Sequence, residues 1–574
     1  MVEERVSQET PIQWKENSQA LNIDLDGEPY LILMRAVAED RFGNDDKQPN
    51  AVELTRRNVA GVADQTWNVV GFDTPINAFP AEYYHRVAKL DEVTLVARFS
   101  APKWRARLMC RQENSIPRMI AQQSGSGDAD LSFKADLAAQ PNRIYLELAF
   151  LGDLSIELIA WATPAPKVMP VLGLSITTYN KPDYLRPNLD ILRESASFGA
   201  GFLDVLVVNN GDPLDGVPEG IEVKPLNNVG GTGGFLAGHA HFKAKGYRHF
   251  VIMDDDIAIP ADFVDRLYAL SCLTTDYHIG SLAEILNTDQ RLIKEQGGVV
   301  QGGHIFGLHL NNPNLLLDGA EKHQLYGFHE VDFSGWWSLL VDLDGPAPKM
   351  PEKQFIKRDD IMFGYESRVQ GMPTVVMPNL IVAHGEEGSP AYYYYDIRND
   401  LILRARSNAK LGISIKQLVA IAGMLMLTLR SDRQRMFNMA LVDFMAGEKR
   451  LERSDIGRNL RKVRGCMLKP MPLPEEAEVL EGGERPSLRN LALNWLRPSA
   501  WRRSAEVPVI ASNPLLHTLG RGQYIDPIPY SENGYLRTRR MSLIFRFLYS
   551  CVLIFWLAIR RKNLVRAYTE GAAS

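Results

Sequence analysis

The segment from Leu172 to Ile259 constrains the fold most. LGLSITTYN (172–180) is an apolar run ending in a polar turn, and PDYLRPNLDILRESASF (182–198) has helical spacing. DVLVVNNGD (204–212), IEVKPLNNVGGTGGF (221–235) and YRHFVIMDDDIAI (247–259) repeat the theme of a strand followed by a polar turn. Apolar strands alternating with helices predict a parallel α/β sheet, because helices on the faces leave the strands nothing polar to meet. In such sheets ligands bind beyond the carboxyl ends of the strands. The polar turns are therefore where chemistry is expected.

At 574 residues the chain exceeds one core, so two to four domains are expected. Residues 1–165 read as an N-terminal β-sandwich domain, with the strand-like runs DEVTLVARFSA (91–101), RIYLELAFL (143–151) and LSIELIAWA (154–162). TPAPKVMPV (163–171) reads as a linker into an α/β catalytic region at 166–391. From Tyr392 to Ser574 the text is mostly helical, broken by KPMPLPEEAEVLEGGERP (469–486), which reads as a loop or linker. A helical region of this kind offers an interface for a homo-oligomer.

Charge and cysteine usage exclude some classes. Lys plus Arg total 64 against 69 Asp plus Glu, a net charge of -5, which argues against nucleic acid as a partner. The four cysteines are far apart and form no CxxC pair, which favours a reducing compartment. MVEERVSQETPIQWKE has no apolar core to act as a secretion signal, so the cytoplasm is expected. The tail, RTRRMSLIFRFLYSCVLIFWLAIRRK (537–562), is apolar with basic ends. Its uninterrupted part, Phe547 to Ile559, is short for a span. It reads as an interfacial helix on an anionic membrane surface, with a helix packed on the protein as the alternative.

FVIMDDDI (250–257) is the strongest chemical signal. Alternate side chains on an extended segment share a face, so Asp254 and Asp256 converge while Asp255 points elsewhere. Two close carboxylates repel unless a cation lies between them, and hard oxygen ligands suit Mg²⁺ or Mn²⁺. Further signals follow in order: the turn after Thr178, VVNNGD (207–212), NNVGGTGGF (227–235), FSGWWSL (333–339), IKRDDIMFGYE (356–366) and IVAHGEEG (381–388). The glycines of NNVGGTGGF are expected to let a ligand approach the backbone.

With these motifs on the page, the chain resembles the family 2 inverting glycosyltransferases of GT-A fold. More narrowly, it resembles the polymerising galactofuranosyltransferases of mycobacterial-type cell-wall galactan synthesis. GFDTPINAFPAEYYHR (71–86) is similar to their FDT-x-x-NAFPA-x-Y segment, and YYYYDIRNDLIL (392–403) to the segment after their catalytic domain. The resemblance implies a GT-A domain, a UDP-galactofuranose donor, a glycan or glycolipid acceptor, and Mn²⁺ or Mg²⁺ held by Asp254, Asp256 and His384. It implies Asp360 as catalytic base, with Trp336, Trp337 and Asp359 toward the acceptor. It assigns Thr178, Lys181, Asn209, Asn228 and Asp255 to the nucleotide. Lys181 stands where the family commonly has Arg, and Asn209 where it commonly has Asp. Rival readings are a GT-A transferase with a rhamnosyl or pyranosyl donor, a sugar nucleotidyltransferase, and a non-catalytic glycan-binding scaffold.

Overall fold

The computed structural model describes residues 66–474, other than 113–114, 141, 274–275, 286–292, 309–321, 347–349, 351–352, 386–388 and 408–410. It also describes 541–573 and the short stretches 4–5, 12–14, 20–37, 53–58, 478–480, 509–511, 523–527 and 533–538. Glu386 to Gly388 of the HGEEG motif, and residues 475–477 and 481–486 of the 469–486 segment, lie outside the described residues. The chain divides into two compact units, Met1–Pro348 with Asp360–Glu387, and Lys349–Asp359 with Gly388–Ser574.

The first unit holds two ten-stranded sheets. The N-terminal one is organised by the strand Glu92–Arg111. Its first half pairs with Leu154–Pro164 and its second half with Arg143–Leu151, while Arg118–Asp136 follows it along nearly its whole length. The ladder is displaced between Ala101 and Trp104, around Pro102, which has no N–H to give to a partner. All ten strands are hydrogen-bonded into one continuous sheet.

The second sheet follows the order Glu222–Pro225, Leu203–Asn209, Leu172–Thr178, His249–Asp254, Ser338–Asp342, His278–Ile285, Thr374–His384, Ile257–Ala258. The first four strands are parallel, and Ser338–Asp342 is antiparallel to both its neighbours. The chain builds outward from Leu172–Thr178 on one side and then returns to place His249–Asp254 on the other. That reversal is a topological switch point, and the crevice beyond it is a natural ligand site. The helical reading of 182–198 is met by Pro182–Glu194 and the short Ala196–Gly199, split at Ser195, whose side chain caps the second helix.

The glycine-rich stretch, read from the sequence as a turn, is helical from Gly230 onward. The helix Gly230–Ala244 packs on Leu172–Thr178, and a Cβ on Gly234 would lie 2.1 Å from Thr177 Oγ1. One on Gly238 would lie 2.4 Å from Ser175 Oγ. These two glycines serve close helix–strand packing.

The two sheets are tied together by the helix Phe263–Leu273. Arg266 donates to the carbonyls of Ile76, Arg35 and Asn379, and to Asp262. Arg35 pairs with Asp262 at 3.0 Å. Asp262 and the Arg266 guanidinium are matched by these hydrogen bonds, the condition under which an interior tolerates buried charge.

The second unit contains the helices Tyr392–Arg406, Ile415–Leu427, Ser431–Met445, Ile456–Arg464 and Met541–Ala573. It also has a five-stranded sheet that the sequence reading did not foresee. Two of its strands, Met471–Pro472 and Glu478–Leu480, fall in the segment read as a linker. The tail is one helix, long and apolar enough to cross a membrane by length and composition. One face packs within the unit: Tyr568 stacks on Phe444 with centroids 5.0 Å apart, and Ser550 bridges Gln434 and Asn438. The other face exposes Phe545, Leu548, Val552, Phe555, Trp556 and Ile559.

Candidate active site

The strand His249–Asp254 delivers Asp254 beyond the sheet, in register with Thr177 of the neighbouring strand. The chain turns through Asp255 and Asp256, and Ile257 then pairs with His384 at the end of Thr374–His384. The Gly385 N–H donates to the Asp256 carbonyl at 3.0 Å. Two strand ends are thereby fixed against each other. Asp254, Asp256 and His384 each offer a ligand atom, all within 4.8 Å of one another.

His384 Nε2 lies 3.9 Å from Asp254 Oδ2 and 3.7 Å from Asp256 Oδ1. The Lys181 ammonium donates to Asp256 Oδ2 at 2.7 Å, and the Lys294 ammonium to His384 Nδ1 at 2.9 Å. Burial pushes the His384 ring down to about 4, with Asp256 pulling it up and Lys294 pushing it further down. Burial alone would raise Asp256, but His384 and Lys181 outweigh it and hold the carboxyl below the usual range. Two carboxylates and one imidazole are a donor set that fits Mn²⁺ or Mg²⁺, the nitrogen favouring Mn²⁺ somewhat.

Asp255, in the turn beyond the strand end, points away from this cluster and is buried. It accepts from the Tyr179 N–H at 3.1 Å. Burial, reinforced by the charge of Asp256, pushes it up to about 6. It braces the turn after Leu172–Thr178, the turn that carries Lys181. Thr178 is buried at that strand end, and its carbonyl accepts from the Asn210 N–H.

Asn209 and Asn228 are engaged locally. Asn209 donates to the Asp212 carbonyl at 2.7 Å and accepts from the Gly211 N–H. Asn228 accepts from the Gly230 N–H at 3.2 Å. Both side chains shape turns at the mouth of the sheet.

The tryptophans sit in the core, where the sequence reading put them toward an acceptor. Trp336 is 6% exposed and stacks on Phe235, with centroids 4.4 Å apart. Trp337 is 8% exposed and donates to the Ser281 carbonyl. Its ring lies edge-on to His384 at 5.7 Å, and Lys294 Nζ lies 5.7 Å from its centroid. Trp337 thus backs the histidine of the acidic cluster.

Asp359 and Asp360 begin the helix Asp359–Val369. Asp360 Oδ1 accepts from the Ile361 N–H at 2.8 Å. Three nearby residues before them, Phe355, Lys357 and Arg358, have positive φ of 75°, 69° and 65°. Such a conformation costs non-glycine residues roughly 1–3 kcal/mol each and must be held by its surroundings. It is held by the Tyr392–Arg406 helix. Asn399 donates to the carbonyls of Gln354, Ile356 and Lys357, Arg398 to that of Gln354, and Asp396 pairs with Arg358 at 2.7 Å. The DIRN text thereby explains itself as a clamp on the loop that leads into Asp360.

Lys294 and this clamp escaped the sequence reading. Lys294 meets His384 only because Ile293–Glu295 pairs with His278–Ile285, which lies beside Thr374–His384. Nothing local in the sequence signals that register.

No protein-family profile matches the chain. Two curated relatives do. The galactofuranosyltransferase GlfT2 of Mycolicibacterium smegmatis is 24% identical over 428 residues, covering 67% of this chain and 65% of that protein. GlfT2 of Mycobacterium tuberculosis is 22% identical over 389 residues, covering 58% of each. The chain resembles these galactofuranosyltransferases. It spans slightly less than two thirds of their length. Among solved structures, GalNAc-T7 with UDP, GalNAc and Mn²⁺ matches at a TM-score of 0.30 and 10% identity, covering 44% of this chain and 49% of that one. The mannosyltransferase PcManGT of Pyrobaculum calidifontis, in complex with GDP-Man and Mn²⁺, matches at 0.29 and 13%, covering 53% and 81%. At those scores the structural likeness carries no argument.

Proposed function

We propose that the chain is a metal-dependent, inverting glycosyltransferase that moves galactofuranose from UDP-galactofuranose to a lipid-linked glycan. The observation that carries this reading is the convergence of Asp254, Asp256 and His384 at the switch point of the sheet, in a chain that resembles galactofuranosyltransferases. Those three residues hold Mn²⁺ or Mg²⁺. When bound, the ion neutralises charge that grows on the departing diphosphate.

The chain's own groups do the rest. Lys181 reaches the diphosphate, and Asp255 fixes the turn that aims it. Thr178, Asn209 and Asn228 shape the nucleotide mouth. Asp360 takes the proton from the acceptor hydroxyl as that oxygen attacks the anomeric carbon opposite the leaving UDP. Asp359 lies toward the acceptor, and the buried Trp336 and Trp337 support the site from behind. On this reading the N-terminal sheet is a β-sandwich module and the catalytic sheet a GT-A domain. The enzyme works at the cytoplasmic face of the membrane, where the exposed face of the tail helix rests on anionic lipid.

The test is release of UDP with Mn²⁺ across a panel of UDP-sugars, each with and without a galactofuranosyl glycolipid acceptor. Acceptor-stimulated release with UDP-galactofuranose alone is the expected result. Release with another sugar moves the specificity to that donor. Formation of diphosphate from a nucleoside triphosphate and a sugar phosphate, in place of UDP release, overturns the reading in favour of a nucleotidyltransferase.

A further inference from the structure

Lys294 is the extra residue of a β-bulge. Ile293–Glu295 pairs with His278–Ile285 so that Glu295 faces Ala283 and Ile293 faces Glu284, and Lys294 between them is skipped in the ladder. A bulge re-aims the side chain it carries. Here it sends the ammonium to His384 Nδ1, 2.9 Å away. Trp337 adjoins both groups. Its indole N–H is held by the Ser281 carbonyl, its ring stands edge-on to the imidazole, and Lys294 Nζ lies 5.7 Å from its centroid. Backbone register and a fixed ring thus place the lysine on the histidine.

An ammonium has three donors and no acceptor, so this hydrogen bond has one direction and Nδ1 accepts. An imidazole with Nδ1 accepting carries its one hydrogen on Nε2. Nε2 is the ring atom that faces the acids, 3.9 Å from Asp254 Oδ2 and 3.7 Å from Asp256 Oδ1. A nitrogen that carries hydrogen has no lone pair to give a metal ion. A ligating histidine instead donates its other N–H to an acceptor, which a lysine is not. The ring can serve Lys294 through Nδ1 or an ion through Nε2, and not both at once. Asp256 also has a lysine on it, with Lys181 donating to its Oδ2 at 2.7 Å. Two of the three candidate ligands are therefore held by ammonium groups of the chain itself.

We propose that Lys294 is a latch on His384, which keeps the imidazole from ligating until the diphosphate of the donor arrives and so makes metal and nucleotide bind together. This latch presupposes the metal-dependent reading given above. Without nucleotide, an ion finds only the carboxylates of the cluster. The diphosphate brings negative charge that draws the ammonium off Nδ1. The single ring hydrogen then passes through solvent from Nε2 to Nδ1, with no proton gained or lost, and Nε2 is open to the ion. Lys294 is a positioning residue, since it acts through His384.

The test is Mn²⁺ binding to the full chain as wild type, Lys294→Met and Lys294→Arg, each with and without UDP. Calorimetry reads the affinity, and electron spin-echo modulation reads a nitrogen nucleus bound to the ion. In the wild type, UDP should tighten Mn²⁺ and bring in a nitrogen signal that is missing without it. Lys294→Met should bind Mn²⁺ without UDP at least about fivefold more tightly, with the nitrogen signal already present. UDP should then add correspondingly less to the Mn²⁺ affinity, because coupling between two ligands is reciprocal. Removing a positive charge tightens a cation in any case, and the nitrogen signal separates the latch from that general effect. Lys294→Arg keeps a donor that cannot accept and should behave as the wild type. Circular dichroism confirms that each variant is folded. Unchanged or weaker Mn²⁺ binding in Lys294→Met, or a nitrogen signal in the wild type without UDP, overturns the latch and leaves the metal site standing. No Mn²⁺ binding to the wild type even with UDP overturns the metal-dependent reading, and the latch with it.

Discussion

Lys181 and Asp256 form an ion pair 2.7 Å long at the centre of the acidic cluster, with the lysine side chain 28% exposed and the aspartate 15%. The lysine supplies positive charge where a divalent ion and a diphosphate would meet. The carboxylate oxygen it uses is one that a metal ion would also seek. On the proposed reading, lysine and metal would compete for Asp256, and a bound diphosphate would draw the lysine away.

Lys181→Ala should separate these effects. Mn²⁺ without nucleotide should bind more tightly, because Asp256 is released. UDP in the presence of Mn²⁺ should bind several-fold more weakly, because one phosphate contact is gone. Titration calorimetry reads both. A parallel loss of Mn²⁺ and UDP affinity would mean that Lys181 props up the site.

Asp360→Asn should lower kcat for sugar transfer by at least about a hundredfold. The amide keeps the size and the capacity to accept from the Ile361 N–H but cannot take a proton. UDP–Mn²⁺ binding should be unchanged. Retention of most of the turnover would remove Asp360 as the base.

The clamp on the preceding loop gives a subtler expectation. Asn399→Ala removes the donor to three carbonyls of a stretch held at positive φ. Relaxation there shifts the start of the helix that carries Asp360. The expected signature is a fall in kcat with the donor KM little changed, and full melting behaviour retained. A rise in donor KM of the same size would contradict a positioning role.

Acid should weaken the fold through two buried histidines. Burial pushes His249 and His278 each down to about 4, with Asp342 pulling both up. Among the described residues, neither ring nitrogen of either has a hydrogen-bond partner. Their pKa values are below the unfolded value of about 6.5, so both are neutral in the fold where the unfolded chain binds protons. Their contribution is complete above pH 6.5 and is lost as pH falls from there to about 4, by roughly 3 kcal/mol each. His278→Phe, packed against Phe363, should flatten the fall in urea midpoint between pH 7 and pH 5.

Arg266→Met should be among the most destabilising single changes in the first unit. It leaves the carbonyls of Ile76, Arg35 and Asn379 without this donor and Asp262 with less compensation. Breaking a buried charged pair from one side costs about 3–5 kcal/mol. Thermal melting is the measurement, and a drop of a degree or less would contradict the role.

Much of the central sheet was legible because its strands are buried on both faces. LGLSITT and DVLVV read as continuous apolar runs, and Leu172–Thr178 and Leu203–Asn209 match them. RIYLELAFL is the strand Arg143–Leu151. The acidic cluster was legible because three acids follow an apolar strand, although the strand ends at Asp254 and it is the turn that separates Asp255 from Asp254 and Asp256. The helix beginning at Gly230 was not legible, because glycine gives the same signal for a turn and for a helix pressed on a strand. Trp336 and Trp337 were placed toward the acceptor because sequence alone does not tell a stacking platform from a core ring. Lys294 was invisible because its meeting with His384 depends on strand pairing across many residues.

The Arg266 knot has a consequence for synthesis on the ribosome. The N-terminal sheet emerges first, yet its Ile76 and Arg35 carbonyls wait for a guanidinium 190 and 231 residues further along. At about 5–20 residues per second, that is roughly ten seconds or more of translation. During that interval the early sheet carries an unfinished polar face. A chaperone that holds this face until the Phe263–Leu273 helix has emerged would raise the yield of folded chain. Stalling translation just before that helix should leave the N-terminal half open to proteases.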